Sequence, residues 1–147
     1  MVKEPENLSV LLVEDNEDDV LIAQRAFREF KVINEVNVAR DGQEALDMLS
    51  ASGRHTGKKP LRPALILLDI TLPLMDGMNV LKRLKADPAL RGIPVIMLTT
   101  SSRHEDIVRS YENGAASYIT KPASLEDFLE LARRFEAYWV TVSKLPV

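Results

Sequence analysis

The chain has 147 residues and a formal net charge of -3, with 46% hydrophobic residues, 28% charged residues and no cysteine. This size suits one domain with a hydrophobic core, and the composition is that of a soluble globular protein. The slight negative charge gives no electrostatic basis for nucleic-acid binding, and the lack of cysteine excludes disulfides and cysteine-ligated zinc. No apolar run reaches the ~20 residues of a membrane span, so we expect a cytoplasmic protein.

The first strand and helix are clear in the sequence. Leu8–Val13 is apolar except for Ser9, and carboxylates at Glu14 and Asp15 follow it directly. Next come apolar residues at helical spacing, with acidic residues in the first turn, which predicts a helix that reaches Phe30.

A second strand and helix follow. Glu35–Ala39 alternates apolar and polar residues as an edge strand does. Asp41 and Glu44 have the spacing of a capping box, which predicts the start of the next helix. Segment 50–63 is irregular and rich in basic residues. We expect it to be a solvated loop, and a basic loop that docks a partner is the alternative.

The third strand is predicted at Ala64–Asp69, where an unbroken apolar run ends in a carboxylate. Such a run is typical of a strand buried on both faces of a parallel sheet. Ligands in open parallel sheets bind beyond the carboxyl ends of the strands, which makes Asp69 a candidate functional residue. Taken alone, however, this pattern favours a buried strand that simply ends at a polar turn residue over a functional role for Asp69. Met78–Ala86 has the pattern of the next helix.

The last third of the chain repeats the alternation twice. Ile93–Leu98 and Ala116–Ile119 are apolar runs that predict strands. Ser102 has the position of a helix N-cap, and Gly114 that of a helix-ending glycine. Ser124 is predicted to cap the final helix. Five strand-helix units favour an α/β fold with a mainly parallel sheet covered on both faces.

Four of these strands end in functional side chains, which parallel strands would bring to one edge of the sheet. The side chains are those of Glu14, Asp15, Asp69, Thr99 and Lys121. Neighbouring carboxylates repel one another by roughly 1–4 kcal/mol per pair, and a divalent cation removes that repulsion. Oxygen ligands favour Mg²⁺. The ammonium of Lys121 and the hydroxyl of Thr99 complete a site suited to phosphoryl transfer onto Asp69.

With these residues, the chain resembles bacterial two-component response-regulator receiver domains from about Leu8 to Tyr138. Each motif is weak alone, but together and in this order they are highly specific. Besides the strand-end residues, the match includes Leu72-Pro73-x-Met75-Asp76-Gly77 and Lys121-Pro122. The resemblance implies a flavodoxin-like, doubly wound (βα)5 three-layer sandwich with a five-stranded parallel sheet. It divides the chain into an N-terminal extension (1–7), a receiver domain (8–141) and a C-terminal tail (142–147).

The resemblance also implies the chemistry. Asp69 would accept a phosphoryl group from the phosphohistidine of a histidine kinase, so the protein would be a phosphoacceptor that assists its own phosphotransfer and autodephosphorylation, not an enzyme with a separate substrate. Glu14 and Asp15 would hold Mg²⁺ together with Asp69 and the backbone carbonyl of Thr71.

Roles for three further residues follow from the resemblance. Thr99 and Lys121 would contact the phosphoryl oxygens, and Tyr118 matches the aromatic switch position that moves inward when Thr99 is drawn toward the phosphate. The alternative for Tyr118 is an ordinary half-exposed strand aromatic. Thr100 departs from the smaller residue frequent in the family, and Thr71 occupies a variable position. Both departures bear on how long the phosphoryl group survives.

The final helix has a wide apolar face. Beside the residues expected to pack on the sheet, it carries a second apolar strip of Leu131, Phe135, Tyr138 and Val142. An extra apolar strip is typical of an interface. We expect homodimerisation through this helix, and cover by the chain's own tail is the alternative. Since no output domain is expected after this helix, the signal would leave through protein contacts.

The long loop before Ala64 and the tail 138–146 resemble those of single-domain regulators that partner phytochrome-type photoreceptor histidine kinases.

Three other functions are alternatives to a phosphorylated receiver domain. A phosphatase of the haloacid-dehalogenase type requires a second Asp where this chain has Thr71. A flavodoxin-like nucleotide-binding module would need a phosphate-binding loop in place of Glu14-Asp15. A degenerate receiver that acts only as a scaffold would lack reactive residues that are all present here.

Overall fold

The computed structural model describes residues 8–29, 33–100, 104–122 and 124–143 of the chain. Five strands alternate with five helices in this part of the chain, and one short 3-10 helix, η1 (Gly53–His55), follows the second helix. The strands are β1 (Leu8–Val13), β2 (Ile33–Ala39), β3 (Leu65–Asp69), β4 (Val95–Thr99) and β5 (Ser117–Thr120). The helices are α1 (Glu17–Arg28), α2 (Gly42–Ser50), α3 (Gly77–Ala86), α4 (His104–Glu112) and α5 (Leu125–Ser143).

All five strands pair in parallel in one sheet of order β2-β1-β3-β4-β5. Every residue of β3 and β4 is buried, which explains why their sequences are unbroken apolar runs. The alternating β2 lies at an edge. This strand order confirms the predicted flavodoxin-like, doubly wound parallel fold.

Helices cover both faces of the sheet. The Leu12 side of β1 faces α1 and α5, while the Leu11 side faces α2 and α3, because successive side chains of a strand point to opposite faces. Phe27 of α1 and Phe128 of α5 are 0% and 1% exposed in the first of these layers. Truncation of either ring to alanine should cost about 3–5 kcal/mol.

Most of the predicted helix signals are present. The Asp41 carboxylate accepts the Glu44 N–H at 2.8 Å, the Ser124 hydroxyl oxygen accepts the Asp127 N–H at 3.2 Å, and Gly114 has a φ of 95° after α4. The predicted cap at Ser102 lies outside the described residues, as do Phe30 and the tail segment 144–147.

Segment 50–63 is tied to α2 more closely than a solvated loop would be. The Leu61 N–H donates to the Met48 carbonyl at 3.0 Å, and a guanidinium N–H of Arg62 donates to the Leu49 carbonyl at 2.6 Å. These carbonyls lie at the end of α2, where backbone acceptors lack helical partners. Arg62 therefore caps a helix, although it remains exposed, as Arg54 and Lys58 do.

The apolar strip predicted on the last helix is partly internal. Leu131 is only 8% exposed and belongs to the core between the sheet and α1 and α5, and the half-buried Phe135 packs against that same cluster. The expectation that Leu131 is free for a dimer contact is therefore wrong. The side chains of Tyr138 and Val142 lie outside the described residues. Among the described residues, no helix has the length and apolar composition needed to cross a bilayer.

Candidate functional site

The carboxyl ends of β1, β3, β4 and β5 meet at one edge of the sheet, as the sequence predicts. Glu14 follows β1, Asp69 ends β3, Thr99 ends β4, and Lys121 comes one residue after β5. Glu14, Asp69 and Thr99 are 1%, 5% and 1% exposed. Polar side chains are seldom buried to this extent without a specific partner, so this edge is the candidate functional site.

An acidic cluster occupies the centre of the site. Glu14, Asp15 and Asp69 each offer a carboxylate oxygen, and these oxygens all lie within 4.8 Å of one another. Glu14 and Asp69 are buried and Asp15 is exposed. The cluster is therefore reachable from solvent on the Asp15 side.

Lys121 provides the balancing charge. Its Nζ lies 2.9 Å from Asp69 Oδ2, 2.6 Å from Glu14 Oε2 and 2.8 Å from Asp19 Oδ2. Since β4 lies between β5 and β3, the side chain reaches across the end of a whole strand. The ammonium has three N–H donors, and three carboxylates surround it.

Asp19 is the site residue that sequence reasoning missed. It lies in the first turn of α1 beside Glu17 and Asp18, where acidic residues are expected simply because they favour a helix N-terminus. The signal available in the sequence was that α1 begins directly after the strand-end carboxylates, which places its first turn close to the site.

The pKa values of Glu14 and Lys121 are both shifted in this crowded, buried site. Burial, assisted by the neighbouring Asp69, raises the pKa of Glu14 to about 7 even though Lys121 lowers it. Burial lowers the pKa of Lys121, but its contacts with Asp19, Glu14 and Asp69 outweigh that effect and leave the pKa above its usual value. Burial is therefore the main reason that the Glu14 carboxyl binds a proton more tightly than usual, and the nearby Asp69 carboxylate adds to that effect.

These residues fit a divalent cation. The donor set consists of carboxylate oxygens, which hard cations prefer. Oxygen Oε2 of Glu14 is buried and lacks a well-directed hydrogen bond, because its contact with Lys121 is an ion pair only. A bound cation would supply the missing positive charge and a partner for this oxygen.

The backbone around Asp69 holds its carboxylate in one orientation. The Thr71 N–H donates to Asp69 Oδ1 at 2.9 Å, while Oδ2 faces Lys121. The loop after β3 then folds back, and the Gly77 N–H donates to the Ile70 carbonyl at 2.8 Å. A Cβ at Gly77 would collide with the Asp69 carbonyl oxygen, so only glycine fits there.

Thr99 and Tyr118 are next to the site on adjacent strands. Thr99 pairs with Thr120, and its carbonyl accepts the Lys121 N–H at 2.7 Å. Tyr118 lies two residues before Thr120 on β5 and pairs with Met97. Its side chain is half-buried against the hydrophobic core between the sheet and helices α2 and α3. The structure thus places Thr99 at the same edge of the sheet as the acidic cluster, and Tyr118 one strand further out.

The family model for the response regulator receiver domain matches residues 10–133, and the chain belongs to this family. It is therefore a signalling protein of the two-component type. Receiver domains bind a divalent metal, which agrees with the acidic cluster described above.

Two curated relatives span most of the chain. Rcp1 of Synechocystis is 36% identical over 137 residues, which are 93% of this chain and 92% of Rcp1. A probable methanogenesis regulatory protein, FilR2 of Methanothrix harundinacea, is 38% identical over 137 residues, 93% of this chain and 86% of FilR2.

Two solved structures are also similar. A structure described as the phosphorylated cyanobacterial phytochrome response regulator RcpA is 39% identical, has a TM-score of 0.83, and covers 96% of this chain and 99% of its own. The Mn(2+)-bound form of Rcp1 has a TM-score of 0.81 at 36% identity and covers 95% of this chain and 99% of its own.

Proposed function

We propose that Asp69 accepts a phosphoryl group from the phosphohistidine of a histidine kinase in a Mg²⁺-dependent reaction. The observation that carries this proposal is the position of the Asp69 carboxylate, 2.9 Å from the Lys121 ammonium and within the acidic cluster. Phosphorylated RcpA and Mn(2+)-bound Rcp1 support it as relatives. The match covers 92% of Rcp1, which supports a regulator built from one receiver domain.

The residues of the site have separate tasks in this reaction. Mg²⁺, held by Glu14, Asp15, Asp69 and the carbonyl of Thr71, would supply positive charge for the incoming phosphoryl group. A carboxylate oxygen of Asp69 forms a bond to phosphorus as the P–N bond of the phosphohistidine breaks, and the electron pair of that bond stays on the imidazole nitrogen.

The remaining residues hold the phosphoryl oxygens and transmit the change. The Lys121 ammonium forms an ion pair with one oxygen and the Thr99 hydroxyl donates a hydrogen bond to another. Tyr118 turns inward as Thr99 moves toward the phosphoryl group. Autodephosphorylation reverses the modification when water attacks the same phosphorus.

Phosphorylation with acetyl phosphate tests the acceptor. Wild-type protein with Mg²⁺ should acquire one acid-stable, base-labile phosphoryl group, and Asp69→Asn should acquire none. Asp18→Asn is the matched control, because it removes an exposed carboxylate next to the site and should leave labelling intact. Full labelling of Asp69→Asn would refute the assignment. Absence of labelling in the wild type would favour a scaffold that works without phosphorylation.

We also propose that the kinase is of the phytochrome type and that the protein works in the cytoplasm, where the kinase uses ATP. RcpA, described as a phytochrome response regulator, supports this partner at 39% identity. FilR2, a probable methanogenesis regulatory protein, is similarly close at 38% identity. The test must therefore compare the rates of phosphotransfer from a phytochrome-type kinase and from other histidine kinases. Phosphotransfer should be fastest from the phytochrome-type kinase, and equal or faster transfer from others contradicts the proposal.

A homodimer through α5 completes the proposal, with output by protein contacts. By their spacing in the sequence, Phe135, Tyr138 and Val142 would extend an apolar strip from the buried Leu131. Because Phe135 packs on its own core, the sharper test changes Tyr138→Glu and Val142→Glu together. The wild type should sediment as a dimer and the double variant as a monomer. A wild type that stays monomeric contradicts the dimer. We assign residues 8–141 to the receiver domain, with 1–7 and 142–147 as flanking segments.

A further inference from the structure

Among the described residues, the Lys121 ammonium has one carboxylate partner that does not belong to the acidic cluster. The cluster consists of Glu14, Asp15 and Asp69, whereas the carboxylate of Asp19, 2.8 Å from Lys121 Nζ, projects from the first turn of α1. The Lys121 side chain is 10% exposed and that of Asp19 28%. An ion pair this sheltered is held more firmly than the usual surface pair.

A closed circuit of contacts sets the position of Asp19. The Asn16 N–H donates to Glu14 Oε1 at 3.0 Å, and the Asn16 side-chain oxygen accepts the Asp19 N–H at 3.1 Å. Asp19 in turn binds Lys121, and Lys121 lies 2.6 Å from the other carboxylate oxygen of Glu14. The cap of α1 therefore links the acidic cluster to the residue that anchors the lysine.

Lys121 and a divalent cation would compete for the same carboxylates. A divalent cation would draw on the carboxylates of Glu14 and Asp69, two residues that the ammonium now contacts. Asp19 lies outside the acidic cluster. Asp19 is therefore the carboxylate that stays available to Lys121 when a cation binds Glu14 and Asp69.

We propose that Asp19 is a positioning residue that holds the Lys121 ammonium at the edge of the site, so that a divalent cation can take Glu14 and Asp69 without losing the lysine from the site. The lysine then remains within reach of a phosphoryl group on Asp69. Only this last consequence rests on the proposed phosphoacceptor function. The effect on cation binding stands without it.

Loss of the Asp19 charge should make Lys121 compete with the cation. In Asp19→Asn the ammonium has only Glu14 and Asp69 as charged partners, and the cation must displace it from both. The Mg²⁺ dissociation constant should therefore rise roughly threefold to tenfold, the effect of a coupling between groups in contact. Without the lysine there is nothing to displace, so the same substitution in a Lys121→Met background should have little effect.

Calorimetric titration of the full chain with Mg²⁺, without any phosphodonor, measures this coupling. The double-mutant cycle compares wild type, Asp19→Asn, Lys121→Met and the double variant. Asp18→Asn is the matched control, since it removes the same charge from the adjacent exposed residue. Asp19→Glu, which restores the charge, should bind Mg²⁺ nearly as the wild type does. Asp19→Ala is a second neutral variant, and thermal unfolding verifies that each variant is folded.

Two results would overturn the proposal. The first is an Asp19→Asn dissociation constant that changes no more than that of Asp18→Asn. The second is an equal loss of affinity in the Lys121→Met background, which would mean that Asp19 acts through its own charge alone.

A parallel acetyl phosphate assay at saturating Mg²⁺ separates this proposal from the proposed function. Slower labelling of Asp19→Asn supports the positioning role in phosphotransfer. No labelling of the wild type refutes the phosphoacceptor function, while the Mg²⁺ cycle still decides the role of Asp19. A labelled wild type with no coupling in the cycle refutes the role of Asp19 alone.

Discussion

The ammonium of Lys121 lies 2.9 Å from the Asp69 carboxylate, although 52 positions separate the two residues in the chain. The parallel sheet creates this contact, because β3 and β5 both end at the same edge with β4 between them. The contact satisfies only part of the negative charge, since Glu14 and Asp19 share the same ammonium. Charge balance is therefore the property of the site that experiments can probe most directly.

Stability of the metal-free protein should fall as pH rises, while the stabilisation added by Mg²⁺ should grow. The pKa of Glu14 is raised from 4.5 to about 7 in the folded protein, so the folded state binds a proton more tightly than the unfolded state does. Stability of the metal-free protein should therefore be lost as pH rises through 7 and regained as pH falls toward 5. Lys121, with a raised pKa, stays charged throughout this window.

Thermal unfolding at pH 8, 7 and 5.5, in EDTA and in Mg²⁺, measures this dependence. The stabilisation by Mg²⁺ should be largest at pH 8 and should shrink as protons compete for Glu14. Glu14→Gln should flatten the metal-free profile between pH 5.5 and 8. A metal-free protein that loses stability from pH 8 to 6 would contradict the prediction.

Removal of the Lys121 ammonium should destabilise the metal-free protein. Lys121→Met leaves buried carboxylates without their counter-charge, which costs about 3–5 kcal/mol when one partner of a buried pair is lost. Mg²⁺ should restore much of this loss. Urea unfolding with and without Mg²⁺ provides the measurement.

Lys85→Met is the control for the preceding prediction. Lys85 donates to the carbonyls of Arg91 and Ile93, both at 3.0 Å, and burial lowers its pKa. Its loss should also destabilise the protein, but Mg²⁺ should not restore that loss, because Lys85 does not contact the acidic cluster. Equal rescue of both variants would show that the metal acts on the fold in general.

Gly77→Ala should damage the site through the backbone. The new Cβ would meet the Asp69 carbonyl oxygen, and the strand end must shift to make room. We expect a loss of about 1–3 kcal/mol in the free energy of unfolding, together with weaker Mg²⁺ binding. Gly92→Ala is the matched control because no atom lies within 4 Å of its added Cβ. Equal behaviour of the two variants would contradict the close approach at Gly77.

Thr100→Ala should shorten the lifetime of the phosphoryl group. Thr100 is exposed directly after the buried Thr99, so its side chain can restrict the approach of water to Asp69. The decay of labelled protein after removal of acetyl phosphate should be faster in the variant, while the initial labelling rate stays similar. Unchanged decay would show that Thr100 does not shield the site.

Local patterns predicted the architecture well because each depends on a few neighbouring residues. Unbroken apolar runs identified β3 and β4, and the cap of α2 at Asp41 appeared where its spacing predicted. The parallel arrangement then required Glu14, Asp69, Thr99 and Lys121 to meet at one edge of the sheet. The sequence thus determined the fold class and the central residues of the site.

Three features needed the tertiary structure, because each depends on how distant elements pack. Asp19 looked like one of several acidic residues at a helix start until the angle of α1 brought it to Lys121. Leu131 looked available for a partner until the packing of α5 buried it. Nothing in the sequence indicated that the guanidinium of Arg62 would donate to a carbonyl at the end of α2. The spacing of apolar residues in the sequence determines which face of a helix is buried. How wide that buried face is, and which charged residues of different elements come into contact, depends on tertiary packing.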